Sequence, residues 1–136
     1  MTPVFADTFY WYGLSNADDQ WHRLNLQARK SIGKRPIVTT GEVLVEFANS
    51  MSGDQFLRAA AKALIDWALT NRNVTVIPQT QDSFLAGLEL YSSRPDKTYS
   101  LVDCISMNCC RARGITEVLT NDHHFEQEGF SILIKR

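Results

Sequence analysis

The sequence predicts a single α/β domain built on a mostly parallel, doubly wound sheet. Two observations carry this. Short strand-like runs alternate with longer runs of helical periodicity, with no low-complexity linker and no internal repeat between them. A length of 136 residues, 44% hydrophobic and 21% charged, suits one packed core over 1–136 and is too short for two.

The elements follow in order. Val4-Phe5-Ala6 is a first strand that ends at Asp7. Residues 8–14 are aromatic-rich, and 16–32 read as a helix with Leu24, Leu26, Ala28 and Ile32 among charges, bracketed by Gly33 and Pro36. Ile37-Val38-Thr39 is the next strand, after which Thr39 and Glu42 stand as N-cap and N3 of a capping box opening a helix over 40–51. Gly53-Asp54 separates it from a helix over 54–71, where Ala60, Leu64, Trp67 and Ala68 keep helical spacing. Val74-Thr75-Val76-Ile77 is a β-branched strand stopped by Pro78, and 80–92 are helical. After the loop Ser93-Arg94-Pro95-Asp96-Lys97, Ser100 caps a helix over 101–113 that Gly114 ends. Glu117–Thr120 and Ser131–Ile134 close the chain as strands.

Composition excludes several classes. With 14 Lys plus Arg against 15 Asp plus Glu, the net charge of −1 rules out a protein held to nucleic acid by bulk charge. Nucleic-acid binding would need a local basic patch or metal ions. No apolar run approaches the roughly 20 residues of a membrane span, and the first residues lack signal-peptide character, so a cytoplasmic protein is expected. Cys104, Cys109 and Cys110 form no disulfide framework and no paired zinc-ligand spacing, and are expected as reduced core thiols.

The carboxylates carry the chemistry. In a parallel sheet, strands end and the following helices begin at the same edge. Asp7 follows the first strand, and Asp122 follows the Val118-Leu119-Thr120 run by two residues. Asp103 lies in the first turn of its helix and Glu46 within the first two turns of its own. Four acids from four segments therefore converge on one crevice. Asp103 also stands at N3 after Ser100, where an acid meets the helix dipole favourably, but its helix is apolar nearly all round. Glu46 borders the apolar face of its helix while Glu42 points further toward solvent, so Glu46 is the site candidate. Carboxylates about 5 Å apart repel by roughly 3 kcal/mol per pair at an effective dielectric near 20, so the cluster must take up protons or cations. All-oxygen ligation suits Mg2+ or Mn2+, the usual ions of phosphodiester hydrolysis.

Four segments now resemble a known family. Val4-Phe5-Ala6-Asp7-Thr8, Thr39-Thr40-Gly41-Glu42-Val43-Leu44-Val45-Glu46, Asp96-Lys97-Thr98-Tyr99-Ser100-Leu101-Val102-Asp103-Cys104 and Leu119-Thr120-Asn121-Asp122-His123-His124-Phe125 are similar, in order and spacing, to the PIN domain family. The likeness is closest to VapC-type ribonuclease toxins of toxin–antitoxin pairs, with Tyr99 where tryptophan is frequent. It implies a three-layer α/β/α domain with five strands and metal-dependent cleavage of RNA. It assigns Asp7, Glu46, Asp103 and Asp122 as the catalytic, metal-holding acids, with Thr120 orienting the site. It also implies a small antitoxin that blocks the cleft, and a homodimer. A catalytically weak or inactive PIN-fold module that binds nucleic acid or a partner is the alternative, against which the intact acidic set argues.

Other residues carry weaker expectations. Arg29, Lys30, Lys34 and Arg35 form the one dense basic cluster, a solvated helix end or an RNA-backbone contact. His123 and His124 read as a loop pair, with phosphate contact near the cleft the minority reading for one of them, and Asp96 as a loop residue that supports the site from behind. Thr8-Phe9-Tyr10-Trp11-Tyr12-Gly13-Leu14 holds more aromatic surface than one helix readily buries, so it is expected to line an antitoxin groove beside the acidic cleft.

Overall fold

A computed structural model describes residues 1–136. Strands β1 (Val4–Ala6), β2 (Ile37–Thr40), β3 (Val74–Ile77), β4 (Glu117–Leu119) and β5 (Ser131–Ile132) form one sheet in the order β3-β2-β1-β4-β5. Every pairing is parallel, with Val4 beside Ile37, Phe5 beside Val118, Ile37 beside Val74 and Glu117 beside Ser131. Seven helices complete the α/β/α arrangement: α1 (Thr8–Ser15), α2 (His22–Ile32), α3 (Gly41–Ser50), α4 (Gln55–Thr70), α5 (Gln81–Ser93), α6 (Leu101–Ala112) and α7 (His124–Gln127).

Central β1 is apolar at every position, and Val4, Phe5 and Ala6 are wholly buried, as befits a parallel strand covered on both faces. From β1 the chain adds β2 and then β3 on one side. It later adds β4 and β5 on the other. The winding direction therefore reverses between β1 and β4. In open α/β sheets the crevice outside the carboxyl ends of such strands is the ligand site.

Four local readings change. Residues 8–14 are helix α1, and the helix expected over 16–32 begins only at His22. Between them the side chains of Asn16 and Asp19 accept the backbone N–H groups of Asp18 (3.1 Å) and Trp21 (3.2 Å), local bonds that compete with helix. The N-cap of α3 is Thr40, whose Oγ1 accepts from the Val43 N–H at 3.1 Å; Thr39 is not the cap, and Glu42 makes no capping box. β2 runs one residue longer than read, so Thr39 is buried, donating to the Ala6 carbonyl at 2.8 Å. It also accepts from the Trp11 indole N–H at 3.3 Å. Finally, Tyr10 and Trp11 belong to the core instead of an exposed aromatic patch. Close helix crossings allow this: a Cβ on Gly13 would lie 2.0 Å from the Asn25 amide nitrogen.

Candidate active site at the carboxyl edge of the sheet

Asp7 leaves β1 at the winding reversal and is 5% exposed. It holds the N-cap position of α1, yet its side chain makes no capping bond. Its Oδ2 accepts instead from Thr120 Oγ1 at 3.0 Å. Thr120, just past β4 and fully buried, uses the same oxygen to accept the Asp122 N–H at 3.0 Å. That donor occupies one side of the hydroxyl, so the Thr120 proton is directed at Asp7.

Asp103 lies in the first turn of α6, also buried. Its Oδ2 accepts the Ser100 N–H at 3.1 Å while Ser100 Oγ accepts the Asp103 N–H at 3.0 Å. The capping role and the site role thus fall to one carboxylate. Glu46, half-buried on α3, accepts from the Thr8 hydroxyl. Asp122 is the more open acid, its Oδ1 accepting the His124 N–H at 2.9 Å.

Charge accumulates here. Burial, then the neighbouring Asp103 charge, pushes the Asp7 carboxyl up to about 7, with Glu46 adding to the rise; hydrogen bonds from the Thr8 N–H and Thr120 oppose it. Burial likewise raises Asp103, against the Ser100 N–H, and Asp122 raises it further. Two buried acids driven toward neutrality beside two more make a pocket that a cation relieves. Its carboxylate oxygens are the donor type that hard divalent ions take.

The sequence leaves open which histidine of the His123-His124 pair meets the cleft; the structure seats His124 among these acids. Its Nδ1 lies 3.2 Å from Asp122 Oδ1 and 3.4 Å from Asp103 Oδ2. The Asp-His-His-Phe segment could not say which histidine turns inward, because α7 spans only four residues. His123 turns out to solvent and pairs with Glu126. The Thr8 hydroxyl was also missed; its place directly after Asp7 was the available signal.

The remaining candidates fall elsewhere. Arg35 is tied to Glu117 and to the Thr2 carbonyl (2.9 Å), at the amino edge of the sheet. Arg29 stacks over Trp67 at 5.6 Å and, with Lys34, lines a groove of about 580 Å³. This concavity runs between α1, α2 and α4, reaching Tyr10, Leu14, Leu64 and the first residues of β2 and β3. It does not adjoin the acidic crevice as expected, since it opens toward the other end of the strands. Asp96 is exposed and pairs with Lys97 at 3.4 Å, outside the cluster. All three cysteines are free, and burial raises their thiols, so they offer no thiolate. No helix is long and apolar enough to cross a membrane.

Comparison with known proteins agrees with this fold. The PIN domain family model matches residues 4–130. Two relatives, both the 23S rRNA-specific endonuclease VapC20, come from Mycobacterium tuberculosis strains CDC 1551 / Oshkosh and ATCC 25618 / H37Rv. Each is 29% identical over 131 residues, covering 93% of this chain and 95% of the relative. The crystal structure of VapC20 from Mycobacterium tuberculosis, described as a sarcin–ricin loop cleaving toxin, matches with a TM-score of 0.84 at 27% identity. It covers 93% of this chain and 95% of its own.

Proposed function

Because the chain belongs to the PIN domain family, we propose that it is a divalent-metal-dependent endoribonuclease of the VapC toxin type, hydrolysing RNA phosphodiester bonds. The observation that supports this is the nearness of Asp7, Glu46, Asp103 and Asp122 at the winding reversal, with Asp7 pushed up to about 7 by burial and then by the neighbouring Asp103 and Glu46 charges. A module that only bound polyanions would be served better without these charges.

Asp7, Asp103 and Asp122 would hold Mg2+ or Mn2+, with Glu46 completing the acidic set. When bound there, such an ion would supply positive charge against the phosphate oxygens and make a nearby water more acidic. The protein's own part is to keep its acids aimed. Thr120 holds one oxygen of Asp7, the Ser100 N–H holds one of Asp103, and Thr8 holds Glu46. The VapC20 relatives make a ribosomal RNA loop the first substrate to assay. Arg29, Lys30 and Lys34, near the amino edge, would touch such an RNA only away from the cut.

Two partners complete the reading. A small antitoxin would fill the groove between α1, α2 and α4, whose apolar walls and basic rim (Arg29, Lys34) suit an amphipathic, acidic chain. A homodimer would use α5, where Phe84, Leu85, Leu88 and Tyr91 are exposed along one side of the helix.

The test is Asp103→Asn, assayed for RNA cleavage and titrated calorimetrically with Mn2+. Loss of turnover by at least about 100-fold, together with weakened Mn2+ binding, is expected. Undiminished turnover would overturn the assignment. No heat from Mn2+ on the wild-type protein, with intact RNA after long incubation, would favour the binding module.

A further inference from the structure

We propose that His124 is a nitrogen ligand of the divalent ion, forming with Asp103 and Asp122 a mixed face that favours Mn2+ over Mg2+. This rests on the ribonuclease reading and adds to it a ligand of a different chemical class. The geometry comes first. In an octahedral site with donors about 2.1 Å from the ion, adjacent donors stand about 3 Å apart. His124 Nδ1 is 3.2 Å from Asp122 Oδ1 and 3.4 Å from Asp103 Oδ2, and the three donor atoms all lie within 4.8 Å of one another. One ion reaches all three with small adjustments.

The ring is held from outside the acidic cluster. Nε2 lies 3.0 Å from Thr98 Oγ1, and the ring packs edge-on against Tyr99, centroids 5.3 Å apart. Tyr99 is itself buried, its hydroxyl donating to Glu128 at 2.9 Å. A ligating imidazole commonly gives its other nitrogen to such a partner, which fixes tautomer and orientation. With the proton on Nε2 and donated to Thr98, the Nδ1 lone pair faces two carboxylate oxygens. Three electron-rich atoms so arranged are satisfied by a shared proton or by a divalent ion placed between them.

The choice of ion follows from donor softness. Mg2+ keeps oxygen ligands and gives up water reluctantly, whereas a first-row transition ion gains from an imidazole. Removing the ring should therefore weaken Mn2+ more than Mg2+.

The experiment loads wild-type protein with Mn2+ and records pulsed electron paramagnetic resonance. Nitrogen-14 modulation is expected, replaced by the nitrogen-15 pattern when histidine is labelled. In His124→Ala the modulation should vanish, with Mn2+ affinity falling about tenfold or more and Mg2+ affinity less than threefold. His123→Ala should change neither. Stoichiometric Mn2+ binding by the wild-type protein without nitrogen coupling would overturn the ligand role and leave the ribonuclease reading standing. Absence of Mn2+ binding would overturn both, and the wild-type spectrum decides even if the variant folds poorly.

Discussion

Replacing Asp7 by Asn should make the metal-free protein more stable at neutral pH while removing its activity. The magnitude comes from the ionisation of the native carboxylate. Burial and Asp103 push Asp7 from 3.8 up to about 7. At 1.36 kcal/mol per pH unit, ionised Asp7 costs the fold about 4 kcal/mol, an upper bound because local relaxation and water lower it. Below pH about 4, Asp7 is protonated in folded and unfolded chains alike, and the penalty is absent. As pH rises from about 4 to about 7 the unfolded chain ionises first, so stability falls. Above about 7 the full penalty applies. Asparagine keeps the shape, and its side-chain oxygen still accepts from Thr120. In EDTA at pH 8 the variant should gain about 2–4 kcal/mol, some 6–15 °C in Tm for a chain of 136 residues. That gain should vanish near pH 4. Divalent ion should then raise the wild-type Tm, by about 2.7 kcal/mol of stabilisation at a hundredfold excess over Kd, and leave the variant nearly unmoved. Scanning calorimetry from pH 4 to 8.5 measures all of this. A wild-type protein as stable as the variant at pH 8 in EDTA, or a gain independent of pH, would refute the reasoning.

Two further outcomes follow from the packing around the site. Glu128 is held at about 2, chiefly by Arg94 and further by Arg111 and Tyr99, so it stabilises the fold above its unfolded value near 4.5 and loses that effect as pH falls toward 2. Glu128→Gln should cost about 2–3 kcal/mol in urea unfolding at pH 7 and about half that at pH 3; equal losses at both would sink the account. A Cβ on Gly87 would meet Ile105 Cγ1 at 2.4 Å, so Gly87→Ala should push α5 from α6 and cost about 1–3 kcal/mol, read as a lower Tm. An unchanged or higher Tm would show that Ile105 yields freely.

What was legible in the sequence was whatever depends on local pattern. The apolar triplet of β1, the β-branched run of β3 and the Ser100–Asp103 capping box could be read directly, because each is decided by neighbouring residues. The four acids could be gathered because parallel connection alone sends strand ends and helix starts to one edge. Tertiary choices were not legible. Whether Thr39 or Thr40 caps α3 depends on how far β2 pairs with β3, a contact between distant segments. Tyr10 and Trp11 looked surplus because nothing in residues 8–14 shows that α2, α3 and α4 all pack on α1. Arg35 looked available to RNA because its partner, Glu117, is 82 residues away. His124 joined the acids only once a single turn after β4 had chosen its direction.

The distribution of charge makes the near-neutral total informative after all. The acids stand at the carboxyl edge of the sheet, while Arg29 and Lys34 border the groove running toward the amino edge. A net charge of −1 therefore hides two poles of opposite sign. On the proposed function, an RNA phosphate approaching the acidic pole would meet repulsion from the ionised acids there, two of the four being buried where screening by salt is weak. A divalent ion that offset this charge would let the same crevice attract the phosphate. On the proposed function, metal occupancy would govern substrate approach as well as chemistry, and the burial and carboxylate repulsion that make ionised Asp7 costly in the metal-free fold would be what a bound ion relieves.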